Sequence, residues 1–311
     1  MLSQFAIIPG SFDPALASSP NALDLGIGCL NDLCRGEGLF LDLRAGAWGA
    51  ALDNASAKGK VFLKFARNRH RIIEVPPQLP TEPDSDESWL WEAQAYHQKK
   101  SGCRAIVTPN QVAEDYAGDP VVTALERLNQ TEWWAKRSPS MTIKRRTQDY
   151  RTALALVLSH ANLLMFIDSF VDPLAENFAE FPQLLVAAGS SDHKPVIQIH
   201  RPSWRRADGK NVVQPFAQWI ADFQPWSDKL EGAGLSADVF IWADTHDRYL
   251  VSDIISINLP YGFDTGKETD PPTTWTRIGT TEVERLQLEY EPNCKMHGLV
   301  GSFAIGKVRE D

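Results

Sequence analysis

His246, Arg248 and Asp253 stand at the spacing His-x-Arg-x4-Asp, a pattern that occurs once in the 311 residues. The chemistry open to such a group is phosphoryl transfer. An imidazole nitrogen can attack phosphorus to form a phosphohistidine. A second imidazole can protonate the leaving oxygen, and a cation can hold the equatorial oxygens whose charge must be stabilised. One chain supplies one histidine of that pair.

Bringing His246 and Arg248 together requires an extended backbone, because alternate side chains of a strand share a face. The composition around 245–251 suits this. Residues 238–243 form an apolar run rich in β-formers, and Tyr249, Leu250 and Val251 followed by Ile254, Ile255 and Ile257 offer a second. Upstream, the spacing predicts a helix over 147–159, a buried strand over 163–168 and a helical region from Asp172 to about Ala188. A strand over 195–200 and a helix over 215–223, closed by Pro225, come next. Helical crossovers of this kind imply a mainly parallel sheet flanked by helices.

His200, Arg201, Trp204, Arg205 and Arg206 follow the strand at 195–200. Three arginines, a histidine and an aromatic within seven residues suit phosphate contact with base stacking. A loop in this position lies at the C-terminal edge where open α/β sheets take their ligands. These five are the candidate substrate-binding residues, and a solvated loop with a half-buried tryptophan is the other reading.

The order strand, helix, strand, helix, strand, opened by Phe166-Ile167-Asp168-Ser169-Phe170 with its acidic turn, resembles one half-domain of the phospholipase D superfamily. That superfamily carries lysine where Arg248 stands here. His246-Asp247-Arg248-Tyr249 followed by Tyr261-Gly262-Phe263-Asp264 is also similar to the phospholipase D-like C-terminal domain of MIT-domain proteins. The resemblance covers about residues 142–311. It implies that His246 is the nucleophile or its acid partner, that Arg248 is the phosphate ligand, and that Asp253 orients or charges the histidine. It implies no cofactor and no metal. It also implies a homodimer, since single-motif members join two chains about a twofold axis. The expected function is that of a metal-independent phosphodiesterase, a nuclease rather than a lipase because no membrane-binding stretch is visible. The alternative is a non-catalytic phosphate- or nucleic-acid-binding module of the same fold.

The remainder is expected to form an N-terminal α/β region of unknown role, 1–140, beside a domain over 141–311. Helices are predicted over 21–35 and 120–136, strands over 38–43 and 72–75, and a proline-rich acidic loop over 76–87. A net charge of -9 excludes a generally basic nucleic-acid coat and leaves room for a local patch. No apolar stretch approaches the roughly 20 residues that span a bilayer, and the opening lacks a basic start and cleavage signal, so a cytoplasmic protein without membrane insertion is expected. Cys29, Cys34, Cys103 and Cys294 lack a paired metal spacing and read as reduced, packed thiols. Residues 6–14 are similar to the opening of adenylyltransferase-type nucleotidyltransferases. The His-x-Gly-His that chemistry requires does not follow, so the segment reads as a turn. Lys144-Arg145-Arg146 is expected to be the solvated start of a helix, and Glu282 and Glu284 to lie on an exposed strand face.

Overall fold

In the computed structural model the apolar run Gly38–Leu43 is a strand with all 6 residues buried, the pattern of a strand covered on both faces. It lies inside the first of two units into which the chain divides, Leu2–Ser138 and Pro139–Asp311. The structure describes residues 1–100, 102–189, 193–267 and 269–307; the last four residues of the expected domain over 141–311 fall outside these.

The first unit holds Ser3–Ile7 (β1), Gly38–Leu43 (β2), Ile72–Val75 (β3), Cys103–Thr108 (β4) and Val122–Ala124 (β5). They form one sheet in the order β3-β2-β1-β4-β5, every pair parallel. Its helices are Pro20–Arg35 (α1), Ala47–Ala55 (α2), Ala57–Arg67 (α3), Asp86–Lys100 (α4), Asn110–Asp115 (α5) and Glu132–Ala135 (α6). α1 shows how local rules and burial combine. The Ser19 side chain accepts from Ala22 N, Pro20 occupies the first turn, and Leu23, Gly26, Leu30 and Leu33 are buried. The helix expected over 120–136 is instead β5, a 3-10 turn over Leu125–Gln130 and α6. Val122 and Thr123 are β-branched and pair with Ile106 and Val107 on β4, so sheet pairing outweighs a weak helical preference.

The turn after β1 explains the rejected nucleotidyltransferase likeness. Gly10 N donates to Asp86 Oδ1 at 3.0 Å, and a Cβ at Gly10 would lie 1.9 Å from Asp86 Oδ2. The glycine therefore makes room for a carboxylate of the protein itself.

The second unit contains Ser140–Ile143 (β6), Leu163–Asp168 (β7), Val196–Pro202 (β8), the hairpin Trp204–Ala207 (β9) and Lys210–Val213 (β10), Ser236–Trp242 (β11), Arg248–Ser252 (β12), Ile257–Asn258 (β13), Thr273–Arg277 (β14) and Leu299–Gly306 (β15). Thr147–His160 (α7), Pro182–Ala187 (α8), Phe216–Asp222 (α9), Gln224–Gly232 (α10) and Thr280–Glu289 (α11) pack around them. The main sheet runs β15-β11-β8-β7-β12-β13-β14-β6.

The α/β class holds in both units, but the mainly parallel sheet expected for the C-terminal unit does not. Only β7, β8 and β11 are parallel to one another; β15, β12, β13, β14 and β6 each join antiparallel. For β12 and β13 the reason is connection length. The links from β11 to β12 and on to β13 are too short for a helical crossover, and a short link turns the chain back on itself. Pro225 likewise sits in the first turn of α10 rather than closing a helix, and Glu282 and Glu284 lie on α11, not on a strand.

The two faces of the sheet carry different cores. On one, Phe166 meets Phe181 and Phe263, and Phe181 meets Trp226. On the other, Met165, Ile167, Phe240, Trp242 and Val251 pack against Leu286 and Tyr290. His200 belongs to this second face, in register with Ile167 and Phe240.

Candidate functional site at the carboxyl edge of the C-terminal sheet

Because β12 lies beyond β7 while β11 lies beyond β8, residues 243–247 must cross the carboxyl ends of the parallel strands. This five-residue crossover carries His246. Two contacts from the end of β7 hold it: Ser169 Oγ donates to Thr245 O at 3.0 Å and to Asp247 O at 3.2 Å. Ser203 N, just past β8, donates to Trp242 O at 2.6 Å. The crossover therefore lies where open α/β sheets place their ligands.

His246 is not on a strand. β12 begins at Arg248, and the histidine stands out from the crossover with 70% of its side-chain surface exposed. Its Nε2 lies 3.2 Å from Asp244 Oδ1. The Trp204 ring lies 5.9 Å away between centroids. Asp244 was not legible as a partner, because it precedes the histidine by two residues without any regular element to align them.

Arg248 opens β12 opposite Asp168. Its Nη1 donates to Pro260 O, and the guanidinium lies 4.4 Å from the Phe170 ring centre. Asp168 is 1% exposed and accepts from Phe170 N and Phe263 N, each at 2.9 Å. Burial raises its carboxyl to about 6, against the opposing pull of these two N–H groups and of Arg248. The acidic turn after β7 thus ties the segment after β13 to the strand edge.

Asp253 is a correction. It follows the far end of β12, where Ser252 is paired with Leu164 at the start of β7. There it accepts from Asn162 N at 2.9 Å, Asn162 Nδ2 at 2.8 Å and Leu163 N at 3.3 Å. Five residues of strand span about 16 Å, so Asp253 fastens the entry to β7 and does not orient His246.

Most of the proposed substrate contacts are also committed to the fold. His200 is 0% exposed, stacked at 4.8 Å on Phe240 and edge-on to Tyr290. Trp242 Nε1 donates to its Nδ1 at 3.2 Å, while Nε2 stands 3.3 Å from Gln198 Oε1. These partners fit the neutral ring with its proton on Nε2. Arg201 is 1% exposed. It donates to Pro202 O, Val171 O and Trp204 O and lies 3.4 Å from the Trp219 ring centre. Arg205 bonds Asp172 and Asp222, at 2.8 Å to the latter. Trp204 is 6% exposed with its edge against Phe170. Of the five, Arg206 alone is exposed, on β9 of the hairpin. The strand pattern could not reveal this, because the chain enters a hairpin at Trp204 instead of a solvated loop.

The basic run Lys144-Arg145-Arg146 is partly engaged too. Arg145 forms a two-pronged pair with Asp264, Nε to Oδ1 at 3.1 Å and Nη2 to Oδ2 at 2.7 Å, and Arg146 Nε lies 2.6 Å from Asp149 Oδ2.

One further group gathers beneath the crossover. Tyr290 OH donates to Asp247 Oδ2 at 3.1 Å and shares a hydrogen bond with Thr245. Asp247, Glu289 and His297 each direct a potential metal donor to within 4.8 Å of the others. The three lie on the crossover, the end of α11 and the loop before β15, so no local spacing announces them. The four cysteines are free thiols. No described helix is long and apolar enough to cross a membrane. No protein-family model and no curated protein matches the chain.

His200 makes stability depend on pH with a definite sign. Burial pulls its pKa down from 6.5 to about 3, so between these values the unfolded chain holds a proton that the folded chain refuses. Its contribution is complete above 6.5 and is lost as pH falls toward 3. Asp168 acts in the opposite sense, because its raised carboxyl penalises the fold as pH rises from 3.8 toward 6. Comparison with His200→Gln isolates the histidine. The stability advantage of the wild type should shrink by about 2 kcal/mol between pH ~7.5 and pH ~5, read from urea unfolding at both. A constant difference would mean that His200 titrates normally.

Proposed function

We propose that the crossover edge binds and hydrolyses phosphodiesters, with nucleic acid as the substrate, in a homodimer that brings two His246 side chains together. The observation that carries this reading is the exposure of His246 beside Asp244, with Arg248 opening the next strand at the same edge. With Nε2–H facing Asp244, the Nδ1 lone pair of one His246 attacks phosphorus. The N–P bond forms, the P–O bond to the leaving group breaks, and the protonated His246 of the second chain gives its proton to the departing oxygen. Water then attacks the phosphohistidine, returns a proton to the second imidazole and releases the first. No metal takes part in these steps.

A second reading, phosphate binding without turnover, is favoured by a specific observation. The guanidinium of Arg248 is held by Pro260 O and Phe170, Arg201 by three carbonyls and Arg205 by two carboxylates. Exposed Arg206 would then provide the phosphate contact on the hairpin.

The readings separate on labelled single- and double-stranded DNA and RNA without added magnesium. Hydrolysis should occur, and His246→Ala should reduce it at least ~100-fold while leaving the fold intact by circular dichroism. Cleavage unchanged in His246→Ala would sink the catalytic reading. Binding without cleavage, weakened by Arg206→Ala, would favour the module. A monomer at working concentration would exclude the two-histidine mechanism.

A further inference from the structure

We infer that Asp247, Glu289 and His297 form a binding site for one divalent transition-metal cation beneath the crossover. The reading does not rest on phosphodiester chemistry, since none of the three residues has a role in it.

The first observation is convergence. Asp247 on the crossover meets Glu289 and His297, which flank the turn after α11, and the three donor groups lie within 4.8 Å of one another. Tetrahedral coordination with metal–ligand distances near 2.0–2.2 Å puts donors roughly 3.4 Å apart, so small side-chain rotations would close the set on a cation. The second observation is independent of that geometry. Glu289 is 5% exposed, and its Oε2 is buried without a hydrogen-bond partner; so is Nε2 of His297. Its other oxygen, Oε1, is taken by Arg285, which fixes the carboxylate with Oε2 left over. Buried polar atoms are ordinarily satisfied, and an orphaned pair beside a carboxylate asks for a ligand with positive charge.

The surroundings preorganise the donors. Tyr290 OH donates to Asp247 Oδ2, and the His297 ring stacks on Tyr290 at 5.1 Å between centroids. Ala243 N donates to Gly298 O at 2.8 Å, which holds the loop of His297 against the crossover. Two carboxylates and one imidazole make a mixed oxygen and nitrogen set. Such a set suits zinc, manganese, iron or cobalt better than magnesium or calcium, which favour oxygen alone. Two carboxylates, one of them also paired with Arg285, face the cation, and three protein donors leave at least one position for water. Bound there, the ion would fasten the crossover to the end of α11 and to the entry of β15, and so set the position of the neighbouring His246.

Cobalt(II) is the probe, because its spectrum distinguishes donor types. The full-length protein, stripped with chelator and titrated with Co²⁺, should bind one equivalent without a thiolate charge-transfer band and should melt roughly 3–5 °C higher. His297→Ala and Glu289→Gln should each weaken binding at least ~10-fold, whereas Glu284→Gln, on the same helix, should leave it unchanged. If Glu289→Gln fails to fold, half-buried His297 still provides the test. Absence of binding would overturn the proposal. So would affinity unaffected by His297→Ala, or a charge-transfer band assigning the ion to a cysteine such as Cys294. Absence of nuclease activity in the wild-type protein with Co²⁺ binding intact would strike the functional reading alone.

Discussion

Gly262→Ala should destabilise the C-terminal unit by about 3 kcal/mol, one of the two largest effects expected of a single substitution here. Gly262 has φ +64, a left-handed backbone that costs a residue with a Cβ about 1–2 kcal/mol. The added Cβ would also lie 2.0 Å from Asp168 Oδ2 and 2.6 Å from its Cγ. That carboxylate cannot easily yield. Its oxygens are held by Phe170 N and Phe263 N, and displacing it would leave buried donors unpaired at about 1–3 kcal/mol. Urea unfolding measures the loss. A double-mutant cycle with Asp168→Ala should show coupling of about 1 kcal/mol or more, because the clash vanishes with the carboxylate. A loss below about 1 kcal/mol would mean that the turn rearranges freely and that Asp168 does not shape it.

Arg201→Met should cost about 3–5 kcal/mol, because three buried carbonyls would lose their donor at about 1–3 kcal/mol each. The guanidinium satisfies carbonyls from three residues, Val171, Pro202 and Trp204, and covers the Trp219 ring. Burial pulls its pKa down to about 9, a sign that the charge is costly there and is tolerated because the carbonyls meet it. Methionine fills much of the volume but donates nothing, so those oxygens would be desolvated without partners. Arg201→Lys should recover little, since one ammonium cannot reproduce a planar fork directed at three acceptors. Full stability in Arg201→Lys would show that charge alone is needed at this position.

These two residues also show how far the sequence could be read. The strand Leu163–Asp168 was predicted at its observed bounds, as was Gly38–Leu43. Both are short apolar runs bounded by turn signals, and their extended state follows from side chains near in sequence. Arg201 and His200 carry the residue types of a phosphate site and have been made into core. What decides between these outcomes is the pairing of β8 with β7 and β11, which puts His200 between Ile167 and Phe240. Nothing in the order His200-Arg201-Pro202 encodes that burial. Asp253 shows the converse. Its spacing from His246 looks like a motif, yet an extended strand separates its ends by its own length, and the two residues serve opposite edges of the sheet.

By itself, then, the sequence determined the α/β class and the positions of the central strands, although not that His246 stands outside the strand that begins at Arg248. These depend on hydrophobic period and turn chemistry, which act over a few residues. Only the tertiary structure decided which charged groups are free to meet a ligand and which are fastened to carbonyls and carboxylates. It alone gathered Asp247, Glu289 and His297 beneath the crossover. Burial and partnership are properties of contacts between distant segments, and those contacts exist only once strand order has been chosen.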